Sequence, residues 1–195
     1  MENPVYEDII DQLAVQDYAI SHTLMDEKLL SRLRNHLIRL RNAGELRDAG
    51  IGNKTNFEVN MEIRSDQIKW INQLECNALE QQFFDAVQDF SNYLNRTCFT
   101  GIKNWEFHYA NYRKGSFFKR HFDRFKNDNG RKFSIVCYLN KKWVLGNGGE
   151  LVLHLDKEVV VEPKFGTVVV FNSALVEHEV KIAHKNRISI TGWLK

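Results

Sequence analysis

The pattern that most constrains this chain is a change of hydrophobic period at Trp105. Before it, apolar residues recur mainly at helical spacing; after it, they alternate with polar residues, as in strands that bury one face. We predict eight strands here: Trp105–Tyr112, Phe117–Asp123, Phe133–Asn140, Glu150–Leu155, Val159–Val161, Thr167–Phe171, Glu177–Val180 and Ile188–Leu194. The turn signals between them are Asn129-Gly130, Gly146-Asn147-Gly148-Gly149, Pro163 and Gly166.

The first hundred residues are mainly helical in pattern. We predict helices over Val5–Val15, from Asp26 to Gly44 and over Asn77–Tyr93, with short strands at Tyr18–Ile20 and Met61–Arg64. Helices followed by a run of strands are typical of an α+β fold with an antiparallel sandwich or barrel. We expect one domain over residues 1–195, with helical support over about 1–100 and a β core over about 101–195.

The bulk composition excludes several classes of protein. A chain of 195 residues can bury a sizeable core, and its net charge of +2 gives no reason to expect a nucleic-acid or membrane partner. The three cysteines, Cys76, Cys98 and Cys137, form no CxxC motif, which favours a reducing compartment and a cytoplasmic location. No apolar signal core or bilayer-spanning run is found, and the oligomeric state is left open.

Four residues of the strand-rich part suggest chemistry. His121 and Asp123 are two residues apart, so in a strand they point the same way, and His178 lies on a later predicted strand. Two imidazoles and one carboxylate leave one face of a metal open, which suits non-haem Fe(II). Arg187 follows His178 by nine residues and can pair with a dicarboxylate.

Each of these residues alone is more simply a surface or core side chain, and only the combination indicates a site. The same His/His/Asp set also suits a zinc hydrolase, although Arg187 then has no role. A non-catalytic binding module is a third interpretation. The other histidines are His22, His36, His108, His154 and His184. A position of His108 near the site is an alternative, but all five are interpreted more simply as packing or surface residues, and His154 has no carboxylate at ligand spacing.

An ordered series of motifs then resembles a known family. In chain order the segments are Arg64–Ile71, Tyr138–Trp143, Gly148–Leu151, Glu162–Phe165, His178–Val180 and Arg187–Trp193. With His121-Phe122-Asp123, they resemble the Fe(II)/2-oxoglutarate-dependent dioxygenases, in the prolyl hydroxylase branch that includes the hypoxia-sensing enzymes and their bacterial relatives. The similarity covers roughly the last two thirds of the chain.

The resemblance implies a double-stranded β-helix, or jelly-roll, with a metal at its open end. His121, Asp123 and His178 are then the Fe(II) ligands. Arg187 and Tyr138 are expected to bind the far carboxylate of 2-oxoglutarate, while Thr191 and Trp193 line the site near the metal. The implied activity is hydroxylation of an unactivated C–H bond with Fe(II), 2-oxoglutarate and O2, and with ascorbate as a candidate cofactor.

The resemblance also implies a protein or peptide substrate, most simply at a prolyl residue; another residue type or a small molecule is the alternative. By position, Arg131, Phe118 and Tyr112 correspond to residues near the target proline in the family. Phe118 stands where the family often has Tyr. Arg64 and Asp66 are candidates to anchor the preceding loop, and the loop Glu45–Asn60 is a candidate lid.

Overall fold

The computed structural model describes residues 2–50, 58–124 and 130–195. Within these ranges it has α-helices at Pro4–Gln16 (α1), Glu27–Asn42 (α2) and Ala78–Cys98 (α3). The strands are Tyr18–Ser21 (β1), Arg47–Asp48 (β2), Gln67–Trp70 (β3), Trp105–Tyr112 (β4), Phe118–His121 (β5), Phe133–Tyr138 (β6), Leu151–His154 (β7), Val159–Val161 (β8), Val168–Asn172 (β9), Glu177–Val180 (β10) and Arg187–Leu194 (β11). Each strand predicted after Trp105 is present, with shifts of one or two residues at some ends.

The strands form two antiparallel sheets. The larger sheet has the order β1-β9-β6-β11-β4-β3-β2, and the smaller has the order β5-β10-β7-β8. Mixed helices and antiparallel sheets confirm the α+β prediction. Strands from the first hundred residues extend the large sheet at both ends, because β1 pairs with β9 and β3 pairs with β4.

Local sequence signals explain the helices. The side chain of Asn3 caps α1, Asp26 caps α2 as predicted, and Asn77 forms a capping box with Glu80 at the start of α3. The stripe of leucines on α2 is buried, as its helical spacing predicts: Leu29, Leu30, Leu33, Leu37 and Leu40. Helix α3 runs to Cys98, further than the predicted end at Tyr93. Of the helices described, none combines the length and apolar character needed to cross a bilayer.

The alternation of side chains divides the interior into two cores. On β11, Ile188 and Ile190 belong to the core between the large sheet and the helices. Arg187, the first residue of the strand, lies on the other face and lines the cavity between the sheets. On β6, Val136 and Tyr138 belong to the core between the two sheets. The inner face of the large sheet therefore carries Tyr138 and Arg187, two of the residues that the sequence singled out.

One predicted strand is wrong. Residues 61–63 form a turn, because the Asn60 carbonyl accepts the backbone N–H groups of Ile63 and Arg64 at 3.1 Å each, and Arg64 makes only an isolated bridge to Phe118. The strand begins at Gln67 instead. The predicted loop Glu45–Asn60 contains the short strand β2, and residues 51–57 of it lie outside the described residues.

Gly192 marks a close approach of two backbones in the large sheet. A Cβ atom at this position would lie 2.3 Å from the carbonyl oxygen of Glu106 and 2.3 Å from the ring of Phe107. We expect Gly192→Ala to lower the free energy of unfolding by about 3 kcal/mol, because β11 or β4 must shift. Urea unfolding measures this. Gly44→Ala is the control, since no atom lies within 4 Å of its Cβ, and its positive φ costs only about 1 kcal/mol. Equal losses in both variants would contradict the steric explanation.

Candidate active site

A narrow cavity, partly open to solvent, lies between the two sheets. Its walls come from the inner faces of β4 and β11 on the large sheet and from β5 and β10 on the small sheet. The lining includes His121, Asp123 and His178, and Arg187 lines the same cavity. Residues that are up to 66 positions apart in the chain therefore meet here.

The cavity brings together the three predicted ligand residues. One ligand atom from each of His121, Asp123 and His178 lies within 4.8 Å of the others. The Nε2 atoms of His121 and His178 are each 3.5 Å from an Asp123 carboxylate oxygen, Oδ1 and Oδ2 respectively. His121 and His178 are cross-strand partners between β5 and β10. This spacing can hold one metal ion.

Asp123 reaches this position differently from the way the alternation predicted. The strand ends at His121, so Asp123 lies two residues beyond it. Its carboxylate is fixed instead from the large sheet, because the Ser134 hydroxyl on β6 donates a hydrogen bond of 2.7 Å to Oδ2. The Ser173 hydroxyl lies 2.8 Å from that of Ser134. The carboxylate is thus oriented by a pair of serines that the sequence did not single out.

Backbone carbonyls orient both imidazoles. Nδ1 of His121 lies 2.7 Å from the carbonyl oxygen of Lys119, and Nδ1 of His178 lies 3.2 Å from that of Val176. An N–H at Nδ1 donated to these carbonyls leaves the lone pair at Nε2 free on the side of Asp123. Neutral imidazoles in this tautomer are the form that binds a divalent metal.

The charge states also suit a cation. Burial is the main cause that lowers the pKa of His178 to about 4, so His178 is neutral near pH 7. Burial by itself raises the pKa of the Asp123 carboxyl, but the two adjacent imidazoles and the hydrogen bond from Ser134 outweigh burial, and the net pKa lies far below the ordinary value. The site therefore offers one carboxylate charge to a metal.

Arg187 is a buried cation without an acidic partner. It is 2% exposed, and its guanidinium donates to the Gly149 carbonyl at 3.1 Å and to the Ser189 hydroxyl at 3.3 Å. The guanidinium carbon lies 4.6 Å from the ring centre of Tyr112 and 4.9 Å from that of Tyr138. Across the described ranges, no carboxylate forms a salt bridge with it.

The Tyr138 hydroxyl beside Arg187 is buried and lacks a hydrogen-bond partner among the described residues. Burial raises the pKa of Tyr138, although the charge of Arg187 opposes this, so the phenol keeps its proton as a donor. A buried charge that lacks an acidic partner and a buried donor that lacks an acceptor are both costly to fold. Both costs fall when an anionic ligand enters, so this end of the cavity fits a carboxylate.

Comparisons with known proteins agree with this geometry. Residues 107–195 match the model of the 2OG-Fe(II) oxygenase superfamily. A prolyl-4-hydroxylase from Pseudomonas putida is 34% identical, with 98% of this chain and 99% of that one covered and a TM-score of 0.89. The chain belongs to the 2OG-Fe(II) oxygenase superfamily, in its prolyl hydroxylase branch.

Two further solved structures are similar. One is a prolyl hydroxylase from Trichoplax adhaerens in complex with a hypoxia inducible factor oxygen degradation domain peptide fragment, at 26% identity and a TM-score of 0.82, with 97% of this chain and 88% of that one covered. The other is a Phytophthora capsici prolyl 4-hydroxylase, at 19% identity and a TM-score of 0.77, with 100% and 66% covered. The second likeness is one of fold alone.

The protein is therefore a 2-oxoglutarate-dependent dioxygenase, with Fe(II), 2-oxoglutarate and O2 as its cofactor and co-substrates. The residues of the cavity fit this set, because it offers a His/Asp/His cluster for iron and an unpaired guanidinium for a dicarboxylate. Family membership decides against the zinc hydrolase and the non-catalytic module.

Most of the other predicted site residues of the oxygenase line the cavity. They are Thr191, Trp193, Tyr112, Phe118 and Arg64. Phe118 stacks on His121, with ring centres 3.6 Å apart and planes at 18°, and the guanidinium carbon of Arg64 lies 4.3 Å from the Phe118 ring centre. Arg64 also forms a buried ion pair of 2.7 Å with Asp66. These contacts link the turn before β3 to a candidate metal ligand.

Arg131, which the resemblance places near the target proline, contacts residues next to the cavity. It forms an ion pair of 2.8 Å with Glu106, donates to the Asp123 carbonyl at 3.1 Å and stacks over the ring of Trp193 at 3.6 Å. It is not among the residues that line the cavity. Arg131 therefore contacts Asp123 and Trp193, two residues of the cavity wall, and holds them in place.

Sequence reasoning missed three residues around the site. Ser134 and Ser173 are buried serines, and nothing in the chain near them marks them as partners of Asp123. His108 was interpreted as packing, yet it lines the cavity. The register of β4 against β11, which pairs His108 with Thr191, is the signal that locates His108.

His154 does have carboxylate neighbours, since its two ring nitrogens lie 3.0 Å from Glu158 and 3.1 Å from Glu179.

Proposed function

We propose that this oxygenase hydroxylates a prolyl residue in a protein or peptide, at an iron ion held by His121, Asp123 and His178. The observation that carries the proposal is that the buried Arg187, which has no acidic partner among the described residues, lies in the same cavity as this triad. The prolyl substrate is supported by the 34% identity, over nearly the whole chain, to a prolyl-4-hydroxylase. A peptide form of the substrate is supported by the Trichoplax adhaerens complex.

In this proposal Arg187 and Tyr138 bind one carboxylate of 2-oxoglutarate. The guanidinium supplies a charge-assisted hydrogen bond and the phenol a second donor, so the co-substrate has one orientation in the cavity. When bound, Fe(II) and 2-oxoglutarate supply the oxidation, in which O2 is consumed, 2-oxoglutarate becomes succinate and CO2, and a C–H bond gains a hydroxyl group. Everything else is positioning by the protein.

His121 and His178 each present a neutral Nε2 and Asp123 presents the charge, which leaves the rest of the metal's surface open for co-substrates. Ring contacts hold both imidazoles: Phe118 stacks on His121, and Phe171 meets His178 edge-on with ring centres 4.6 Å apart. Apolar side chains of Val136, Leu151 and Val180 line the remaining wall and exclude water from the reacting groups.

We infer that the two sheets are a double-stranded β-helix and that residues 1–195 act as one oxygenase domain. Two antiparallel sheets with a shared core and a cavity between them support the first inference. Matched coverage of 98% and 99% with the Pseudomonas putida enzyme supports the second. Tyr112, Phe118 and Arg64 are proposed to contact the substrate, whereas Arg131 is proposed to act through Trp193.

The test is peptide mapping of a native whole-cell protein extract after incubation with the enzyme, Fe(II), 2-oxoglutarate and ascorbate. We expect prolyl residues to gain the mass of one oxygen atom, only when both iron and 2-oxoglutarate are present. Oxygen on another residue type would keep the oxygenase and overturn the prolyl assignment. Omission of ascorbate in a parallel sample shows whether turnover depends on it.

The Ser134 hydrogen bond gives a separate prediction about the iron site. We expect Ser134→Ala to weaken Fe(II) binding about 10- to 100-fold, because the Asp123 carboxylate loses the donor that fixes its direction. Anaerobic titration of Fe(II) into protein with 2-oxoglutarate, followed by the visible charge-transfer band, measures it. Ser91→Ala is the matched control, a buried serine on α3, and should bind like the wild type. Equal affinity in Ser134→Ala would mean that this hydrogen bond does not fix the Asp123 carboxylate for Fe(II) binding.

A further inference from the structure

His108 lies in the wall of the cavity, between two aromatic rings. On β4 it pairs in register with Trp70 of β3 on one side and with Thr191 of β11 on the other. Its ring centre lies 4.9 Å from that of Trp70 and 5.5 Å from that of Trp193. His108 is 3% exposed, whereas Trp70 is 50% exposed, so this row of rings leads from the interior toward solvent.

Two polar atoms of this row lack hydrogen-bond partners among the described residues. Nδ1 of His108 and Nε1 of Trp193 are both buried, and neither has a hydrogen-bond partner in the described part of the chain. A buried polar atom without a partner is destabilising, and an apolar side chain would pack between the same rings without this cost. Both residues line the cavity, so a ligand there can supply the missing partners.

The charge state of His108 restricts what it can bind. Burial lowers its pKa to about 3, and the charges of Arg64 and Arg131 contribute in the same direction. The imidazole is therefore neutral at physiological pH, with one N–H donor and one acceptor nitrogen. Trp193 offers an N–H donor only. Together these two residues offer more donors than acceptors, and they attract no anion by charge.

Such a wall suits a group rich in acceptors and poor in donors. A prolyl residue within a chain has this character, because it has a carbonyl oxygen but no backbone N–H. We propose that His108 is a specificity-determining residue, which donates a ring N–H to a carbonyl oxygen of the substrate chain at or next to the prolyl residue. This inference rests on the proposed function and adds to it the residue that recognises the backbone.

The experiment compares wild type with His108→Leu, which removes the donor, and His108→Gln, which keeps one. His36→Leu is the matched control, because His36 is half-buried and packs edge-on against an aromatic ring, Tyr109, on the outer side of the large sheet. The probe is the native whole-cell protein extract described above. Initial rates of oxygen incorporation at prolyl sites are measured, together with 2-oxoglutarate binding to the anaerobic Fe(II) protein.

We expect His108→Leu to lower the prolyl hydroxylation rate at limiting substrate about 10- to 100-fold, and His108→Gln to recover most of it, as one lost hydrogen bond to a buried group predicts. The affinity for 2-oxoglutarate should change less than about twofold in either variant, because His108 is proposed to contact only the substrate chain. If His108 only packed in the wall, its loss would disturb 2-oxoglutarate binding as well. His36→Leu should match the wild type.

The other outcomes are distinguishable. If wild type modifies no prolyl residue, the proposed function fails and the role of His108 falls with it. If wild type is active and His108→Leu is equally fast, only the role of His108 is overturned. If His108→Leu and His108→Gln lose hydroxylation and 2-oxoglutarate binding alike, His108 is a packing residue and the inference is also overturned.

Discussion

The His178→Ala variant is expected to lose Fe(II) binding and with it all turnover of 2-oxoglutarate, both with and without substrate. The variant keeps one imidazole and one carboxylate, and the lost ligand is the one held in the interior, in cross-strand register with His121. Fewer than three protein ligands cannot enclose one face of the ion. Anaerobic Fe(II) titration and a succinate assay measure the two effects.

His154→Ala is the matched control for this experiment. His154 lies on β7, the strand next to β10, and its imidazole is bonded to glutamates instead of pointing at Asp123. This variant should bind Fe(II) as the wild type does. Turnover that survives in His178→Ala would mean that the His121/Asp123/His178 cluster is not the iron site.

The Arg187→Met variant is expected to raise the dissociation constant of 2-oxoglutarate by at least about 100-fold, because it removes the buried charge opposite the ligand's carboxylate. Fe(II) binding should be retained, since Arg187 touches none of the three candidate ligands in the contacts described. Titration of 2-oxoglutarate into the anaerobic Fe(II) protein measures this directly.

The same substitution has an unusual expected effect on stability. Arg187 is buried without an acidic partner in the described residues, so its charge opposes folding until a ligand arrives. Arg187→Met should therefore unfold at an equal or higher temperature than wild type when 2-oxoglutarate is absent. Arg187→Lys is the control, because it keeps the charge but loses the planar pair of donors. Unchanged 2-oxoglutarate affinity in Arg187→Met would contradict its role, whatever its stability.

The sequence predicted the strands well because the signal for them is local. A strand with one face toward the helices and the other toward a second core needs alternating side chains, and β4, β8 and β10 were predicted with their observed bounds. The failure at Met61–Arg64 has a local cause too. Alternation there is incidental, and the hydrogen bonds to Asn60 make a turn.

The candidate site was predictable in part. His121 and His178 are paired across β5 and β10, and both had been singled out as ligands on strands. Asp123 was correctly predicted to lie beside the two histidines, but the reason given was wrong. It lies past the end of the strand, and the hydrogen bond from Ser134 orients its carboxylate. Neither Ser134 nor His108 could be selected, since a serine or histidine on an alternating strand has the same pattern whether it lines a cavity or packs in a core.

By itself, the amino-acid sequence determined the three helices, the order of the strands after Trp105, the alternation of side chains along those strands, and the residue types available for iron and a dicarboxylate. These follow from backbone geometry and side-chain chemistry, which act over a few residues. Only the tertiary structure decided that Arg187 has no acidic partner in the described chain, and that Nδ1 of His108, between Trp70 and Trp193, has no hydrogen-bond partner among the described residues. Whether a buried polar group is satisfied depends on residues brought beside it from distant strands, and no local pattern records that.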